Sequence, residues 1–206
     1  MKRAVIFSGG AFEKPDWVAL PKDAMILCAD SGLRHARALG ISPDWVLGDF
    51  DSSSEQPEGE SVLRYPPEKD DTDTELAIKQ ALAMNCSHIT LLGATGGRLD
   101  HMIGNIHLLF PCLQKGTYAE IVDSQNRLYL IDGEHTFRKG ETWGKYISFL
   151  PLTEEVKGIT LRGFKYPLTD RDISIGTSLC ISNELVEEEG TITFSDGVLI
   201  TVESHD

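Results

Sequence analysis

The clearest pattern of secondary structure lies in residues 72–100, which read TDTELAIKQALAMNCSHITLLGATGGRLD. The first half predicts a helix over residues 72–85, because apolar residues recur at helical spacing and the first four residues match a capping box. Residues 88–92 are short, apolar and β-branched, as expected of a buried strand, and a glycine-rich turn then leads into another helical pattern. This order of helix, strand and helix is typical of an α/β fold.

The same alternation covers the first half of the chain. Strands are predicted at residues 4–8, 25–29, 45–47, 61–65 and 88–92, and further helices at 33–39 and about 100–113. In the last of these helices Ile103, Ile106, Leu109 and Phe110 are spaced for one buried face. We therefore predict a mainly parallel sheet with flanking helices, a Rossmann-like nucleotide domain whose ligand binds beyond the carboxyl ends of the strands.

The second half of the chain is rich in β-strand patterns. After residue 116 we predict strands at 118–123, 127–131, 135–138, 146–150, 158–162, 178–182, 191–194 and 198–202. Many short strands separated by turn residues indicate a C-terminal antiparallel β-sandwich. The strand at 118–123 could still belong to the first sheet, so the predicted boundary lies near residue 125. This gives an α/β domain over 1–125 and a sandwich over 126–206.

The composition excludes several classes of protein. Of the 206 residues 41% are hydrophobic, and no apolar run approaches the roughly 20 residues that a membrane span needs. The start of the chain has too few apolar residues for a signal peptide. The cysteines are widely separated and are expected to be free buried thiols: Cys28, Cys86, Cys112 and Cys180. We therefore expect a cytoplasmic protein that does not bind membranes.

The net charge of −13 argues against a nucleic-acid partner, because such binding needs Lys and Arg to replace counterions along the phosphates. The negative charge does not exclude a small phosphorylated substrate. Such a ligand would require a bound cation and a few well-placed basic groups.

Acidic side chains follow most of the predicted strands of the first half: Asp30, Asp49, Asp51, Asp70, Asp71, Asp73 and Asp100. Because the carboxyl ends of parallel strands share one edge, we expect these carboxylates to face a common crevice. In an extended segment Asp49 and Asp51 would lie on one face, and their hard oxygen atoms suit Mg²⁺. The alternative is a solvated turn, and Asp30 and Asp73 could also serve as a helix cap and a first-turn acid.

The second constellation is the glycine-rich turn at residues 93–101. Glycines allow backbone N–H groups to approach a phosphate, the following helix adds positive charge, and Arg98 can bind phosphate oxygens in a bidentate way. The turn matches neither a P-loop nor a dinucleotide fingerprint. Gly9, in the turn after the first strand, belongs to a weaker second phosphate turn. A tight structural turn would also explain the glycines, and His101 alone is explained better as structural than as catalytic.

Five motifs occur in a fixed order: Asp30-Ser31-Gly32, Gly48-Asp49-Phe50-Asp51-Ser52, Asp71-Thr72-Asp73-Thr74-Glu75, Gly96-Gly97-Arg98-Leu99-Asp100-His101 and Ser182-Asn183-Glu184. Together they resemble the signature of the thiamine pyrophosphokinase family over nearly the whole chain. The resemblance implies an α/β nucleotide domain with a β-sandwich and a homodimer with sites between the subunits. It also implies Mg²⁺-dependent transfer of the pyrophosphoryl group of ATP to thiamine, giving thiamine diphosphate and AMP.

The resemblance also implies roles for individual residues. The metal ligands would be Asp49, Asp51 and Asp73. The catalytic acids would be Asp30, Asp51, Asp73 and Asp100, as further ligands or as the base that accepts the hydroxyl proton. The ATP-binding residues would be Gly9, Gly96, Gly97, Arg98 and His101, in a catalytic domain over 1–125. Ser182 and Asn183 would hydrogen-bond the thiamine pyrimidine in a thiamine-binding domain over 126–206, although a polar strand end would look the same.

Two other functions fit the same residues. One is a different Mg²⁺-dependent transferase that uses ATP and another alcohol, since only the acceptor pocket would differ. The other is a nucleotide- or metal-sensing module without turnover. The presence of every acid that the family resemblance requires favours the enzyme.

Overall fold

The structure is a computed structural model that describes residues 1–13, 20–49, 61–66 and 70–206. The chain divides into two units, Met1–Ser124 and Gln125–Asp206. Within the described part of the first unit, six strands form a parallel sheet in the order β4-β3-β2-β1-β5-β6. Their bounds are Arg3–Phe7 (β1), Met25–Ala29 (β2), Trp45–Gly48 (β3), Ser61–Arg64 (β4), His88–Leu92 (β5) and Tyr118–Val122 (β6).

The order of these strands creates a switch point next to β1. The chain proceeds from β1 through β2 and β3 to β4 on one side, and β5 then pairs with β1 on the other side. In an open parallel sheet, ligands bind in a crevice outside the carboxyl ends of the strands at such a point. This crevice therefore lies beyond the carboxyl ends of β1 and β5.

The helices of the first unit are α1 (Leu33–Ala38), α2 (Asp73–Ala83), α3 (Leu99–His107) and α4 (Leu109–Gln114), with a 3₁₀ turn at Asp30–Gly32. The predicted cap of α2 is present, because Thr72 Oγ1 accepts a hydrogen bond of 3.2 Å from Glu75 N. α2 packs against β1, β2 and β3.

The prediction of one helix over 100–113 with a single buried face is wrong. The segment forms two helices, and Ile103 on the first is 51% exposed whereas Leu109 on the second is buried. Pro111 explains the break, because it has no N–H to donate to the carbonyl of His107 one turn earlier. On α3 the large apolar side chains of Leu99 and Ile103 are 69% and 51% exposed.

The second unit contains two antiparallel sheets, in the orders β7-β13-β9 and β11-β10-β12-β8. The strands are Asn126–Ile131 (β7), His135–Arg138 (β8), Tyr146–Pro151 (β9), Glu155–Arg162 (β10), Leu168–Ser174 (β11), Glu189–Thr193 (β12) and Leu199–Ser204 (β13). Phe137 from one sheet and Phe149 from the other pack edge to face, with ring centroids 5.7 Å apart. The predicted fold class, a parallel α/β sheet followed by an antiparallel sandwich, is confirmed.

The predicted strand at 178–182 is wrong. That segment consists of turns and bends, although Cys180 within it is buried. The chain instead forms β11, an edge strand in which Ile173 alone is buried. An edge strand with polar side chains on both faces lacks the apolar alternation that predicts strands.

Two further expectations concern the cysteines and membranes. All four cysteines are free and buried, as predicted. None of the helices in the described part of the chain combines the length and the apolar character needed to span a membrane.

Candidate active site

A cavity of about 590 Å³ opens at the carboxyl ends of β1, β2 and β5. Its size is typical of a site for a small molecule such as a nucleotide. Its wall is formed by the turns after β1 and β5 together with the start of α1, of α2 and of α3. Seven of the residues predicted to form a site line it: Gly9, Asp30, Asp73, Gly96, Gly97, Arg98 and His101.

The turns after β1 and β5 are joined by backbone hydrogen bonds across the switch point. These bonds run from Ser8 N to Leu92 O (2.8 Å), from Gly10 N to Gly93 O (2.7 Å) and from Ala11 N to Thr95 O (3.0 Å). A Cβ on Gly10 would lie 2.5 Å from the Gly93 carbonyl oxygen, so the turns can approach this closely only with glycine at position 10. The two turns therefore form one wall of the cavity.

The glycine turn before α3 lines the cavity and has a backbone conformation that favours glycine. Gly96 and Gly97 have φ angles of +74° and +70°, which favour glycine. Successive backbone N–H groups in a turn can form a concave surface that holds an anion. Within the described residues the N–H groups of Gly96 and Gly97 make no backbone hydrogen bond. The turn is thus able to bind phosphate oxygens.

Buried polar side chains hold this wall in place. Thr74 Oγ1 of α2 donates to Ser8 Oγ at 3.0 Å, and Asn105 Nδ2 of α3 donates to the carbonyl of Ala94 at 2.9 Å. Sequence reasoning missed both braces. The available signal was that Asn105 is a polar residue within an otherwise largely apolar helical segment.

The acids at the strand ends are only partly brought together. Asp30 and Asp73 line the cavity, after β2 and at the start of α2, whereas Asp49 is not among the lining residues. Asp51 lies outside the described residues. Asp30 has a φ of +44°, a backbone conformation that is uncommon for a residue other than glycine and is often found at functional sites. The wall of the cavity therefore carries two carboxylates in addition to its glycine turns.

Arg98 and Asp100 form an ion pair at the start of α3. Arg98 Nε donates to Asp100 Oδ1 at 3.1 Å, and its Nη2 donates to Oδ2. Asp100 lines a neighbouring cavity of about 240 Å³, which shares Thr72, His101 and Asn105 with the larger one. A phosphate that binds Arg98 would have to share the guanidinium with this carboxylate.

The ion pair has a measurable consequence for Asp100. The hydrogen bond from Arg98 lowers the pKa of Asp100 from its ordinary value of 3.8 to about 2. The stabilising effect of the pair is therefore complete above pH 3.8 and is lost as the pH falls through about 2. A carboxyl ¹³C NMR titration should give Asp100 a midpoint near 2, and Arg98→Met should move it towards 3.8. A midpoint of 3.8 in the unaltered protein would show that the pair does not form in solution.

Ser182 and Asn183 belong to the second unit. Ser182 is exposed and has a φ of +57°. Asn183 is 2% exposed, and its amide is occupied by the backbone: Nδ2 donates to Tyr166 O (2.9 Å), and Oδ1 accepts from Tyr166 N and Glu184 N (3.0 Å each). Asn183 thus fixes the loop that presents Ser182. The contact of both residues with thiamine stays a prediction.

The donor set of the larger cavity is compatible with a magnesium ion. Carboxylate oxygens are the ligands that Mg²⁺ prefers, and one or two of them are sufficient when substrate phosphates and water complete the shell. Asp30 and Asp73 meet this requirement. Over the described residues no group of three or more His, Cys, Asp or Glu side chains is placed to hold a metal by itself.

Comparisons with known proteins point to one family. The family model described as "Thiamin pyrophosphokinase, catalytic domain" matches residues 18–121, and "Thiamin pyrophosphokinase, vitamin B1 binding domain" matches 134–199. The chain is 41% identical over 184 residues to the thiamine pyrophosphokinase of Bacillus subtilis, and the match covers 86% of each chain.

Solved structures give the same result. A crystal structure of thiamine pyrophosphokinase from Bacillus subtilis superposes with a TM-score of 0.91 at 35% identity, covering 100% of both chains. That of thiamin pyrophosphokinase from Geobacillus thermodenitrificans gives 0.86 at 36% identity, covering 100% of this chain and 98% of the other.

Proposed function

The chain belongs to the thiamin pyrophosphokinase family, and we propose that it transfers the pyrophosphoryl group of ATP to the hydroxyl oxygen of thiamine, giving thiamine diphosphate and AMP. The family predicted from five short motifs is confirmed. One structural observation supports the reaction most strongly. The two glycine turns meet at the switch point of the sheet, and Asp30 and Asp73 line the same cavity.

The proposed reaction is a displacement at the β-phosphorus of ATP. The hydroxyl oxygen of thiamine forms a bond to this phosphorus, and the bond from the β-phosphorus to the bridging oxygen of the α-phosphate breaks. AMP leaves with that oxygen, and the hydroxyl proton passes to a base. Enzymes of this kind act mainly by positioning the groups and by stabilising the negative charge of the phosphates.

The glycine turns and Arg98 would bind the phosphates. Backbone N–H groups of Gly96 and Gly97 and the guanidinium of Arg98 are hydrogen-bond donors on one side of the cavity. Gly9 would contribute from the turn after β1, and His101 from the first turn of α3. These donors would hold the triphosphate in the orientation that the displacement requires.

The acids would hold the metal and accept the proton. Asp73 would bind Mg²⁺ together with Asp49 and Asp51, and Asp30 would act as a further ligand or as the base. The bound ion would neutralise charge on the phosphate oxygens. While Arg98 contacts Asp100, the low pKa of Asp100 makes it a weak proton acceptor. Asp30, which lines the cavity itself, is therefore the better candidate for the base.

Thiamine recognition is proposed for the second unit. The matched vitamin B1 binding model and the exposed Ser182 support this role, with Asn183 holding the loop.

We also propose a cytoplasmic homodimer with active sites between the subunits. The apolar side of α3 supports an interface with a second copy, because Leu99 and Ile103 are largely exposed beside the cavity. Large apolar side chains grouped on one helix are typical of a protein-protein contact.

Product analysis tests the reaction directly. The protein should convert ATP and thiamine, in the presence of Mg²⁺, to equal amounts of AMP and thiamine diphosphate, measured by ³¹P NMR or chromatography. Omission of thiamine should abolish AMP formation. Release of ADP with a phosphorylated alcohol would indicate a different phosphotransferase, and nucleotide binding without any product would indicate a sensor.

A further inference from the structure

Arg34 is a second arginine on the wall of the larger cavity. It is the second residue of α1, directly after the 3₁₀ turn that begins with Asp30. Its Nη2 donates a hydrogen bond of 2.8 Å to the carbonyl of Gly9 in the turn after β1. The guanidinium is therefore anchored at the side of the cavity that Gly9 forms, whereas Arg98 stands in the turn after β5.

The neighbouring residue of α1 makes a similar contact but has a different position. His35 Nε2 lies 3.0 Å from the carbonyl oxygen of Gly10 and, since a carbonyl only accepts, carries the hydrogen. Its ring also packs on Phe12, with centroids 5.0 Å apart. His35 does not line the cavity, and its contacts explain it fully as a brace for the turn.

The charges around Arg34 are different from those around Arg98. Arg98 contacts a carboxylate, Asp100, whereas the hydrogen bond of Arg34 is to a neutral carbonyl. A guanidinium has five N–H donors, and one suffices for the carbonyl. The bond to Gly9 already restricts the arginine side chain. Less conformational entropy is therefore lost when its remaining donors bind an anion.

We propose that Arg34 binds the phosphate chain of the nucleotide from the Gly9 side of the cavity, as a second guanidinium besides Arg98. The inference rests on the proposed function, since it requires a nucleotide in this cavity. In a protein with a net charge of −13, two arginines on separate turns would offset the repulsion between the phosphates and the acids. Because the two arginines stand on separate turns, this arrangement favours a nucleotide with several phosphates over one with a single phosphate.

Binding of a nucleotide series to Arg34→Met tests the proposal. The ligands are adenosine and the α,β-methylene analogue of ATP, whose bond at the displacement site cannot be cleaved, measured by calorimetry without thiamine. Loss of a charge-assisted hydrogen bond should weaken the ATP analogue at least about tenfold and leave adenosine within about twofold. Arg34→Lys should show a smaller loss, since it keeps the charge without the fork.

Arg37→Met is the matched control, because Arg37 lies one turn further along α1 and does not line the cavity. It removes the same charge and should leave both ligands unaffected. An equal loss for adenosine and the ATP analogue in Arg34→Met would make Arg34 a brace like His35 and would overturn the proposal, as would no loss at all. If the unaltered protein fails to bind the ATP analogue, the proposed function fails as well.

Discussion

Replacing Asp30 by Asn should lower kcat/KM for ATP by at least about 100-fold, the size of effect seen when one group that stabilises transition-state charge is removed. Asp30 follows β2, lines the cavity and is proposed as a metal ligand or as the base. Asn has the same shape and tolerates the left-handed backbone conformation that Asp30 adopts. The change therefore removes a negative charge and leaves the turn intact.

The second unit offers a matched control for this variant. Asp170 is also an aspartate with a positive φ, of 48°, but it is exposed on β11. Asp170→Asn should leave kcat/KM unchanged, and both variants should keep the melting temperature of the unaltered protein. Activity of Asp30→Asn within a few-fold of the unaltered protein would exclude Asp30 from the chemistry.

Gly10→Ala should lower the affinity for ATP by at least about tenfold and the free energy of unfolding by about 2 kcal/mol, which is typical of an overpacked site. The added Cβ would lie 2.5 Å from the carbonyl oxygen of Gly93 and 2.6 Å from that of Thr95. These carbonyls accept hydrogen bonds from Gly10 N and Ala11 N. The turns cannot separate to admit a methyl group without breaking the contacts that hold the wall of the cavity together.

Gly133→Ala is the control for this substitution. Gly133 has open space where its Cβ would stand and no positive φ. Its replacement should change the free energy of unfolding by less than about 0.5 kcal/mol and should leave ATP binding unaffected. Denaturant unfolding and calorimetry measure both quantities. Unchanged ATP affinity in Gly10→Ala would mean that the joined turns do not form the phosphate site.

Local patterns were sufficient to predict most of the fold. The strands Met25–Ala29 and His88–Leu92 have the predicted bounds, because buried parallel strands are short, continuous apolar runs. The edge strand Leu168–Ser174 was missed for the opposite reason, since its polar residues carry no alternation. The helix break before Leu109 was missed although Pro111 signals it in the sequence, because the apolar periodicity continues through the proline.

The site could be predicted in part. Asp30 and Asp73 lie where the strand-end argument places them, since that argument needs only the order of elements in a parallel sheet. Arg34 and Asn105 line the cavity but were not predicted to do so. Their roles depend on which loops meet across β1 and β5, and that is a property of the folded sheet. The pairing of Arg98 with Asp100 likewise required the actual geometry of the turn.

The most direct test of the proposed reaction follows the β-phosphorus of ATP. The protein is incubated with thiamine, Mg²⁺ and ATP labelled with ³²P at the β-position, and the products are separated. Transfer of a pyrophosphoryl group predicts that all consumed label appears in thiamine diphosphate and that the AMP released is unlabelled. Label recovered in ADP, with thiamine carrying one unlabelled phosphate or none, would contradict the account.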